Sequence, residues 1–260
     1  MIEKRNRVEE RVRQGKTSLG FVCRTLSPVI VEMIGLSGFD FVWIDMEHTA
    51  ADFSIVEQLC RAADAARIET LVRLPDKNPS NVVRALEAGA GIVNVPDVQD
   101  PAEAEALVKC ARYFPHGQRG FCANSRGNLY GFGGGVSDTF AAANERVMTM
   151  IQIESARGIE RVGEICAVPG LDIVFVGLAD LSQSLGIPGN LDHPDLLDAA
   201  RRVLRAAKAN GKTTAMLAED APGAARWVSE GVSMICCGVD ITSIGKMLRA
   251  TRQGFEAISP

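Results

Sequence analysis

Short apolar runs alternate with segments of helical periodicity along the whole chain, at intervals of about 25–35 residues. Each run is nearly continuous in apolar side chains and is bounded by Gly, Asp or Pro, as in a parallel strand covered on both faces. The pattern therefore predicts eight parallel strands. They fall at residues 18–23, 41–45, 69–73, 92–95, 147–153, 173–176, 213–217 and 234–237.

The segments between the runs carry apolar residues at helical spacing. This spacing predicts helices at residues 54–65, 101–111 and 195–210. An additional amphipathic helix is expected at residues 3–14, where it would close the bottom of a barrel, and an apolar helix is expected at residues 241–248. Strand–helix repeats in a chain of 260 residues predict one α/β domain over residues 1–260, a single (β/α)8 TIM barrel.

A glycine-rich stretch at residues 113–137 breaks the alternation of strands and helices. Loops of this length within a compact domain usually carry a function. We expect this one to be a lid over the active site, with simple slack between two elements as the alternative.

Composition narrows the class of partner. With 28 Lys and Arg against 32 Asp and Glu, the net charge is −4, which argues against nucleic acid or an anionic membrane as a partner. No apolar run is long enough to cross a bilayer. The seven cysteines include no C-x-x-C pair, so we expect free thiols in a reducing cytoplasm.

Ionisable side chains follow several predicted strands at their carboxyl ends. Parallel α/β sheets build their active sites at that end. The sequence therefore predicts one mouth that carries acid, base and guanidinium groups. These residues are Asp45, Glu47 and His48 after the second strand, Arg73 at the third, Glu154 after the fifth and Asp180 after the sixth.

Glu154 and Asp180 are candidates for a divalent-cation pair, because carboxylate oxygens suit Mg²⁺ or Mn²⁺. The alternative is that each residue caps the helix that follows it. Free N–H groups in the turn Gly177-Leu178-Ala179-Asp180 predict an anion site. A 2-oxo acid would place its carboxylate there and its keto oxygen on the cation.

Arg73 and His48 are candidates for the reaction itself. The Arg73 guanidinium would stabilise an enolate or carboxylate oxygen, with a structural salt bridge to Asp45 or Glu47 as the alternative. The His48 imidazole titrates near neutrality and would act as a general base, with a structural histidine as the alternative.

These residues resemble a known family, the HpcH/HpaI class II 2-oxo-acid aldolases of the pyruvate/phosphoenolpyruvate-binding barrel superfamily. The similarity runs in order along nearly the whole chain. Its stretches are residues 38–48 (GFDFVWIDMEH), Val72-Arg73, Gly117-Gln118-Arg119-Gly120, Gln152-Ile153-Glu154-Ser155 and residues 175–182 (FVGLADLS).

The resemblance implies roles for the cation and the substrate contacts. Glu154 and Asp180 would bind a divalent cation (Mg²⁺, Mn²⁺ or Co²⁺), and Arg73 would hold the pyruvyl oxygen. The other implied substrate contacts are Gln152, Gly177, Leu178, Ala179, Asp180 and Leu217.

The resemblance also implies an acid/base pair. His48 would be the acid/base residue, and Asp45 would orient or contact the substrate. In the family the partner carboxylate of the histidine lies in a Leu-Asp-x-Gly-Ala motif. Here that motif reads Leu86-Glu87-Ala88-Gly89-Ala90, so Glu87 stands where the family has Asp.

The implied activity is reversible aldol cleavage of a 4-hydroxy-2-oxo acid to pyruvate and an aldehyde. A citrate-synthase-like or oxaloacetate-decarboxylating reaction is the alternative, and a non-enzymatic barrel is a weaker one. Imine catalysis is disfavoured, because Lys212 is the lysine near a strand end and it precedes its strand.

The aldehyde pocket is expected at Val22, Cys23, Leu217 and residues 121–130. Arg126 is a candidate for selecting an acidic aldehyde tail, with solvent exposure as the alternative. The resemblance further implies a homohexamer, a trimer of dimers, in which C-terminal helices are exchanged between subunits.

Overall fold

Eight parallel strands close into a barrel in the order in which they occur along the chain, and β8 pairs with β1. The computed structural model describes residues 5–256 and 258. The barrel confirms the expected TIM-barrel fold. Its strands are β1 Ser18–Cys23, β2 Phe41–Asp45, β3 Glu69–Arg73, β4 Ile92–Val95, β5 Met148–Ile153, β6 Ile173–Val176, β7 Thr213–Leu217 and β8 Met234–Val239.

Helices connect successive strands, and additional helices flank the barrel at both ends of the chain. A 3₁₀ helix, Arg126–Gly131, precedes α6. The helices are α1 Arg7–Arg13, α2 Pro28–Leu36, α3 Phe53–Ala66, α4 Pro79–Ala88, α5 Pro101–Ala111, α6 Val136–Arg146, α7 Ala156–Glu160, α8 Val162–Cys166, α9 Leu178–Ser184, α10 Pro194–Ala209, α11 Ala221–Ser229 and α12 Asp240–Glu256.

The observed bounds differ little from those the sequence predicts. Six strands begin and end as expected, while β5 begins one residue later and β8 extends two residues further, to Val239. Of the helix expected at residues 3–14, α1 covers Arg7–Arg13, and residues 3 and 4 lie outside the described residues.

The strands are buried on both faces, as their continuous apolar sequences require. In β2, Phe41 and Trp43 belong to the cluster inside the barrel, whereas Val42 and Ile44 pack beneath the helices. Because side chains alternate along a strand, Asp45 follows Trp43 onto the inner face. The fold thereby aims a carboxylate into the barrel mouth.

Helix α1 closes the opposite end of the barrel, as expected from its amphipathic sequence. Val8 is fully buried in the interior cluster, and Val12 packs against it. Asn6 caps α1 through the Val8 N–H and donates a hydrogen bond to the Gly91 carbonyl, just before β4. The amino-terminal end of the barrel is therefore filled by this helix.

Helix α12 differs from the others in burying little of its surface. Asp240 is its one buried residue. Ile241, Leu248 and Phe255 are 52%, 58% and 71% exposed, so an apolar stripe faces outward. Within the described part of the chain, no helix is both long enough and apolar enough to span a membrane.

Candidate active site

The pairing of β2 with β3 sets Asp45 directly opposite Arg73. The Arg73 guanidinium donates from Nε to Asp45 Oδ1 over 2.9 Å and from Nη2 to Oδ2 over 2.7 Å. Both side chains are buried, at 0% and 8% exposure. The salt bridge that was the alternative for Arg73 is present, and it fixes the plane of the guanidinium.

Two further groups complete this ion-pair network. Glu47 Oε2 lies 2.8 Å from Arg73 Nη1, and Arg24 Nε lies 2.9 Å from Asp45 Oδ2. Burial acts to raise the pKa of Asp45, but hydrogen bonds and charge from Arg73, with the charge of Arg24, hold it below its ordinary value. Asp45 is therefore an anion whose task is to hold two guanidinium groups.

His48 lies at the rim of this network. Its side chain is 51% exposed, and its Nε2 lies 3.7 Å from Glu47 Oε2. Burial raises the pKa of Glu47, against the lowering effect of Arg73 and His48. Because its imidazole is half-exposed, His48 can meet a bound molecule or a neighbouring subunit.

Glu154 is held by a chain of hydrogen bonds across the ends of β4 and β5. Asn94 donates to Gln152 Oε1 over 2.6 Å, and Gln152 donates to Glu154 Oε2 over 2.6 Å. The Asp97 N–H donates to Glu154 Oε1 over 2.7 Å, from a residue with a left-handed φ of 45°. Both carboxylate oxygens are thus fixed from the protein side.

Burial, with smaller contributions from the charges of Asp180 and Glu47, raises the pKa of Glu154 to about 7 against the lowering effect of the hydrogen bonds from Gln152 and Asp97. Two carboxylates placed side by side repel each other unless a cation or a proton lies between them. Among the described residues, no set of three or more His, Cys, Asp or Glu side chains forms a complete metal cage. Two carboxylates that leave the remaining positions to water and substrate fit Mg²⁺ or a similar cation.

Gly177 allows the turn before α9 to approach this carboxylate. A Cβ at position 177 would lie 2.4 Å from Glu154 Oε2, so only glycine fits. Asp180 follows in the first turn of α9, where it is exposed. The residues of this turn, whose N–H groups were expected to bind an anion, line the same cavity as Glu154.

These groups line one cavity of about 580 Å³ at the carboxyl ends of the strands. Its floor is aromatic, since Trp43 and Phe175 meet edge to face with ring centroids 5.0 Å apart. Of the residues expected at the site, the cavity wall brings together His48, Arg73, Gln152, Glu154, Gly177, Leu178, Ala179, Asp180 and Leu217. Asp45 stands behind Arg73 as its support.

Glu87 takes a different place from the rest. It lies on α4, is not part of the cavity wall, and has Arg119 as a charged neighbour.

The loop at residues 113–137 is also displaced from the expected position. Arg126, Leu129 and Tyr130 line a cavity at the other end of the barrel, so the expectation of a lid within one chain is wrong.

The other expectations for the aldehyde pocket are partly met. Val22 and Leu217 line the mouth, but Cys23 is fully buried and does not. Arg126 pairs with Asp64 instead of reaching the mouth. Arg226 does line the mouth, together with Arg24 and Arg73, and it lies 3.4 Å from Asp192.

Sequence reasoning missed the residues that support the site, notably Arg24, Asn94 and Asp97. Arg24 and Asn94 could have been found, since each lies at the carboxyl end of a predicted strand. Asp97 acts through its backbone N–H, which no side-chain pattern reveals.

Comparisons with known proteins identify the family of the chain. Residues 20–246 match the HpcH/HpaI aldolase/citrate lyase family. A 5-keto-4-deoxy-D-glucarate aldolase of Shigella boydii serotype 18 is 34% identical over 215 residues, which cover 83% of this chain and 82% of the relative.

Two solved structures are similar over their whole lengths. A HpcH/HpaI aldolase/citrate lyase family protein from Burkholderia cenocepacia J2315 is 35% identical with a TM-score of 0.88, covering 97% of this chain and 99% of that one. The citrate synthase SbnG is 31% identical with a TM-score of 0.87, covering 96% and 97%.

Fold and comparisons together define a (β/α)8-barrel enzyme, and its candidate site lies at the carboxyl ends of the strands. The chain belongs to the HpcH/HpaI aldolase/citrate lyase family and is a carbon–carbon lyase of the aldolase type.

Proposed function

We propose that the protein catalyses reversible, divalent-metal-dependent aldol cleavage of a 4-hydroxy-2-oxo acid to pyruvate and an aldehyde. One observation carries the proposal. A carboxylate pair, a fixed guanidinium and the turn that opens α9 line a single cavity. A 2-oxo acid presents a carboxylate and a keto oxygen to such a site.

Binding of the 2-oxo acid follows from the shape of the wall. Its carboxylate would accept hydrogen bonds from the N–H groups of Leu178, Ala179 and Asp180 at the start of α9. Gln152 would lie against the keto acid, and the aromatic floor of Trp43 and Phe175 would exclude water beneath it. Leu217 would contact the aldehyde portion.

Glu154 and Asp180 would hold the divalent cation, which we propose to be Mg²⁺, Mn²⁺ or Co²⁺. When bound, the cation supplies a positive charge that polarises the keto oxygen and stabilises the enolate. The chain contributes two oxygens of Glu154 that are already oriented by Gln152 and Asp97.

Arg73 would stabilise negative charge on the pyruvyl oxygen. Its guanidinium has little freedom to turn, because Asp45 takes Nε and Nη2 and Glu47 lies against Nη1. A charge fixed before the reaction needs no reorganisation when the enolate forms.

His48 would act as the acid/base residue. In cleavage the 4-hydroxyl proton is removed, the C3–C4 bond breaks, and its electron pair passes to C3 of the pyruvate enolate as the aldehyde leaves. Protonation of that carbon gives pyruvate. The half-exposed imidazole of His48 would exchange the hydroxyl proton with water.

We further propose that Glu87 of one subunit is the carboxylate partner of His48 in a neighbouring subunit. Within one chain, Glu87 lies off the cavity wall. The pair would therefore form between subunits, with α4 of one copy beside the mouth of another. The half-exposed imidazole of His48 supports this arrangement.

Assembly and location belong to the same proposal. We infer a homohexamer, a trimer of dimers, that exchanges C-terminal helices, because the exposed stripe of α12 needs a partner. We also infer a cytoplasmic location, which is supported by seven free cysteines.

A citrate-synthase-like reaction is the second candidate, supported by the similarity to the citrate synthase SbnG. The test incubates the purified enzyme and Mg²⁺ with 5-keto-4-deoxy-D-glucarate, and separately with oxaloacetate and acetyl-CoA. Equal amounts of pyruvate and aldehyde from the first mixture support cleavage. Release of CoA from the second, with no pyruvate from the first, would reject the aldolase assignment in favour of the second candidate.

A further inference from the structure

A second cavity, of about 360 Å³, opens at the amino-terminal end of the barrel, opposite the catalytic mouth. It lies among α1, α3, the start of β3, the 3₁₀ helix and the end of α6. We call it the basal cavity. Two carboxylates line it, Asp64 and Glu69, against five arginines: Arg7, Arg61, Arg67, Arg126 and Arg146.

Several of these guanidinium groups lie in ion pairs, and Arg61 pairs with Glu57, which lies outside the cavity wall. Asp64 pairs with Arg126. Glu69 is buried and lies 3.6 Å from Arg146, which is too far for a direct hydrogen bond. Among the described residues, no carboxylate lies within ion-pair distance of Arg67. Arg67 therefore brings to the cavity a positive charge that no carboxylate among the described residues balances.

The wall of the basal cavity is closely packed and is not a chance gap. A Cβ at Gly89 would lie 1.8 Å from the Arg126 guanidinium, and a Cβ at Gly127 would lie 2.1 Å from the Leu86 carbonyl oxygen. The glycines thus let the 3₁₀ helix and its arginine lie flat on α4.

Two residues of this wall have an unfavourable backbone. Leu129 and Tyr130 are consecutive non-glycine residues with φ of 52° and 54°, in the left-handed region. This conformation brings the Tyr130 hydroxyl to the Arg61 guanidinium over 2.7 Å. Strain of this kind persists where surrounding structure over-determines it, and it concentrates at ligand clamps and active sites.

We propose that the basal cavity binds a small anion that carries at least two negative charges, either a phosphate group or a dicarboxylate. Planar guanidinium groups bind both by paired, charge-assisted hydrogen bonds. Arg67 and Arg146 supply the contacts, and Tyr130 offers a hydroxyl beside them.

The basal site is separate from the catalytic one. Strand β3 begins at Glu69 in the basal cavity and ends at Arg73 in the mouth, a distance of about 13 Å at 3.3 Å per residue. Anion and substrate are bound together without competing for space. A ligand in the basal cavity acts on the same strand that carries Arg73.

The experiment measures binding of inorganic phosphate and of malonate to the Mg²⁺-loaded protein by calorimetry, at constant ionic strength. The two probes distinguish the phosphate class from the dicarboxylate class. We expect the Arg67→Gln/Arg146→Gln double variant to weaken the preferred anion at least about tenfold, the usual cost of losing charged hydrogen bonds. The control variant Arg226→Gln carries the same type of substitution at the catalytic mouth, and it should bind the preferred anion with wild-type affinity.

The proposal fails if neither anion binds the wild type, or if the double variant keeps wild-type affinity. It also fails if Arg226→Gln alone removes binding, because the anion then lies at the mouth. If the double variant does not fold, crystals of the wild type soaked in tungstate give the answer. Tungsten in the basal cavity supports the site, and tungsten only at the mouth, or nowhere, rejects it. None of these measurements depends on aldolase turnover.

Discussion

The Arg73 guanidinium and the Asp45 carboxylate form a bidentate salt bridge at the ends of neighbouring strands, with donor–acceptor distances of 2.9 and 2.7 Å. The parallel register of β2 and β3 sets the pair, and burial strengthens it. The Arg73 guanidinium, which we propose stabilises the enolate, is therefore held in place by Asp45, a carboxylate outside the cavity wall.

Asp45→Asn tests this support. The amide removes the negative charge that balances Arg73 and Arg24, so we expect the free energy of unfolding to fall by about 3 kcal/mol. We also expect kcat/KM to fall on the order of a hundredfold, because the guanidinium loses its orientation. Urea unfolding and pyruvate release measure the two effects.

The matched control for that variant is Asp198→Asn. Asp198 is 78% exposed and pairs with Arg201 over 3.3 Å, so its loss should change stability by less than about 0.5 kcal/mol. Equal effects of the two substitutions on stability and on kcat/KM would show that the buried Arg73–Asp45 salt bridge contributes no more than an exposed ion pair.

His48→Ala tests the acid/base assignment. Loss of a general acid or base lowers kcat by about 10²–10⁴. If Glu87 acts through His48 of another subunit, Glu87→Gln should lower kcat, and the double variant should be no slower than His48→Ala alone.

Glu105→Gln, an exposed change on α5, is the control for Glu87. Additive losses in the double variant would separate Glu87 from His48. Wild-type kcat in Glu87→Gln would remove it from the mechanism.

Metal affinity should depend on pH through Glu154. Its pKa of about 7 in the metal-free protein lies above the ordinary value of 4.5, so protonation stabilises the metal-free fold. That contribution is complete below pH 4.5 and is lost as the pH rises through 7. A cation must displace the proton, so we expect the apparent dissociation constant of Mn²⁺ to rise roughly tenfold from pH 8 to pH 6.

Titration of Mn²⁺ by electron paramagnetic resonance at several pH values measures this dependence. Glu154→Gln cannot be protonated in this range and should bind Mn²⁺ weakly at every pH. An affinity that is flat from pH 6 to pH 8 in the wild type would contradict the assignment.

Leu248→Glu tests the role of α12 in assembly. Leu248 lies in the exposed stripe with Ile241 and Phe255, whereas Lys246 is exposed on the opposite side of the helix. We expect Leu248→Glu to reduce the mass measured by light scattering to that of a smaller species, and Lys246→Glu to leave it unchanged. An unaltered hexamer in both variants would place the interface elsewhere.

The barrel could be predicted from the sequence because each strand is short, apolar and bounded by a turn residue. The candidates Arg73, Glu154 and Asp180 could be found for the same reason, since each lies at or just beyond a strand end. The position of the loop at residues 113–137 could not be predicted, because it depends on a close contact between Gly127 and α4 that leaves no periodic signal in the sequence. Composition could not show which of the two arginines, Arg126 or Arg226, would lie near the substrate. In the structure Arg226 lines the mouth, and Arg126 lines the basal cavity.

The most direct test of the central claim is exchange of the pyruvate methyl protons in D₂O, followed by proton nuclear magnetic resonance without any aldehyde. An enzyme that forms a pyruvate enolate at Glu154, Asp180 and Arg73 should exchange these protons with Mg²⁺ or Mn²⁺. We expect exchange to stop with EDTA, to return when metal is restored, and to fall at least about a hundredfold in Arg73→Ala. Exchange that persists in EDTA or in Arg73→Ala, or no exchange by the metal-loaded wild type, would contradict the account.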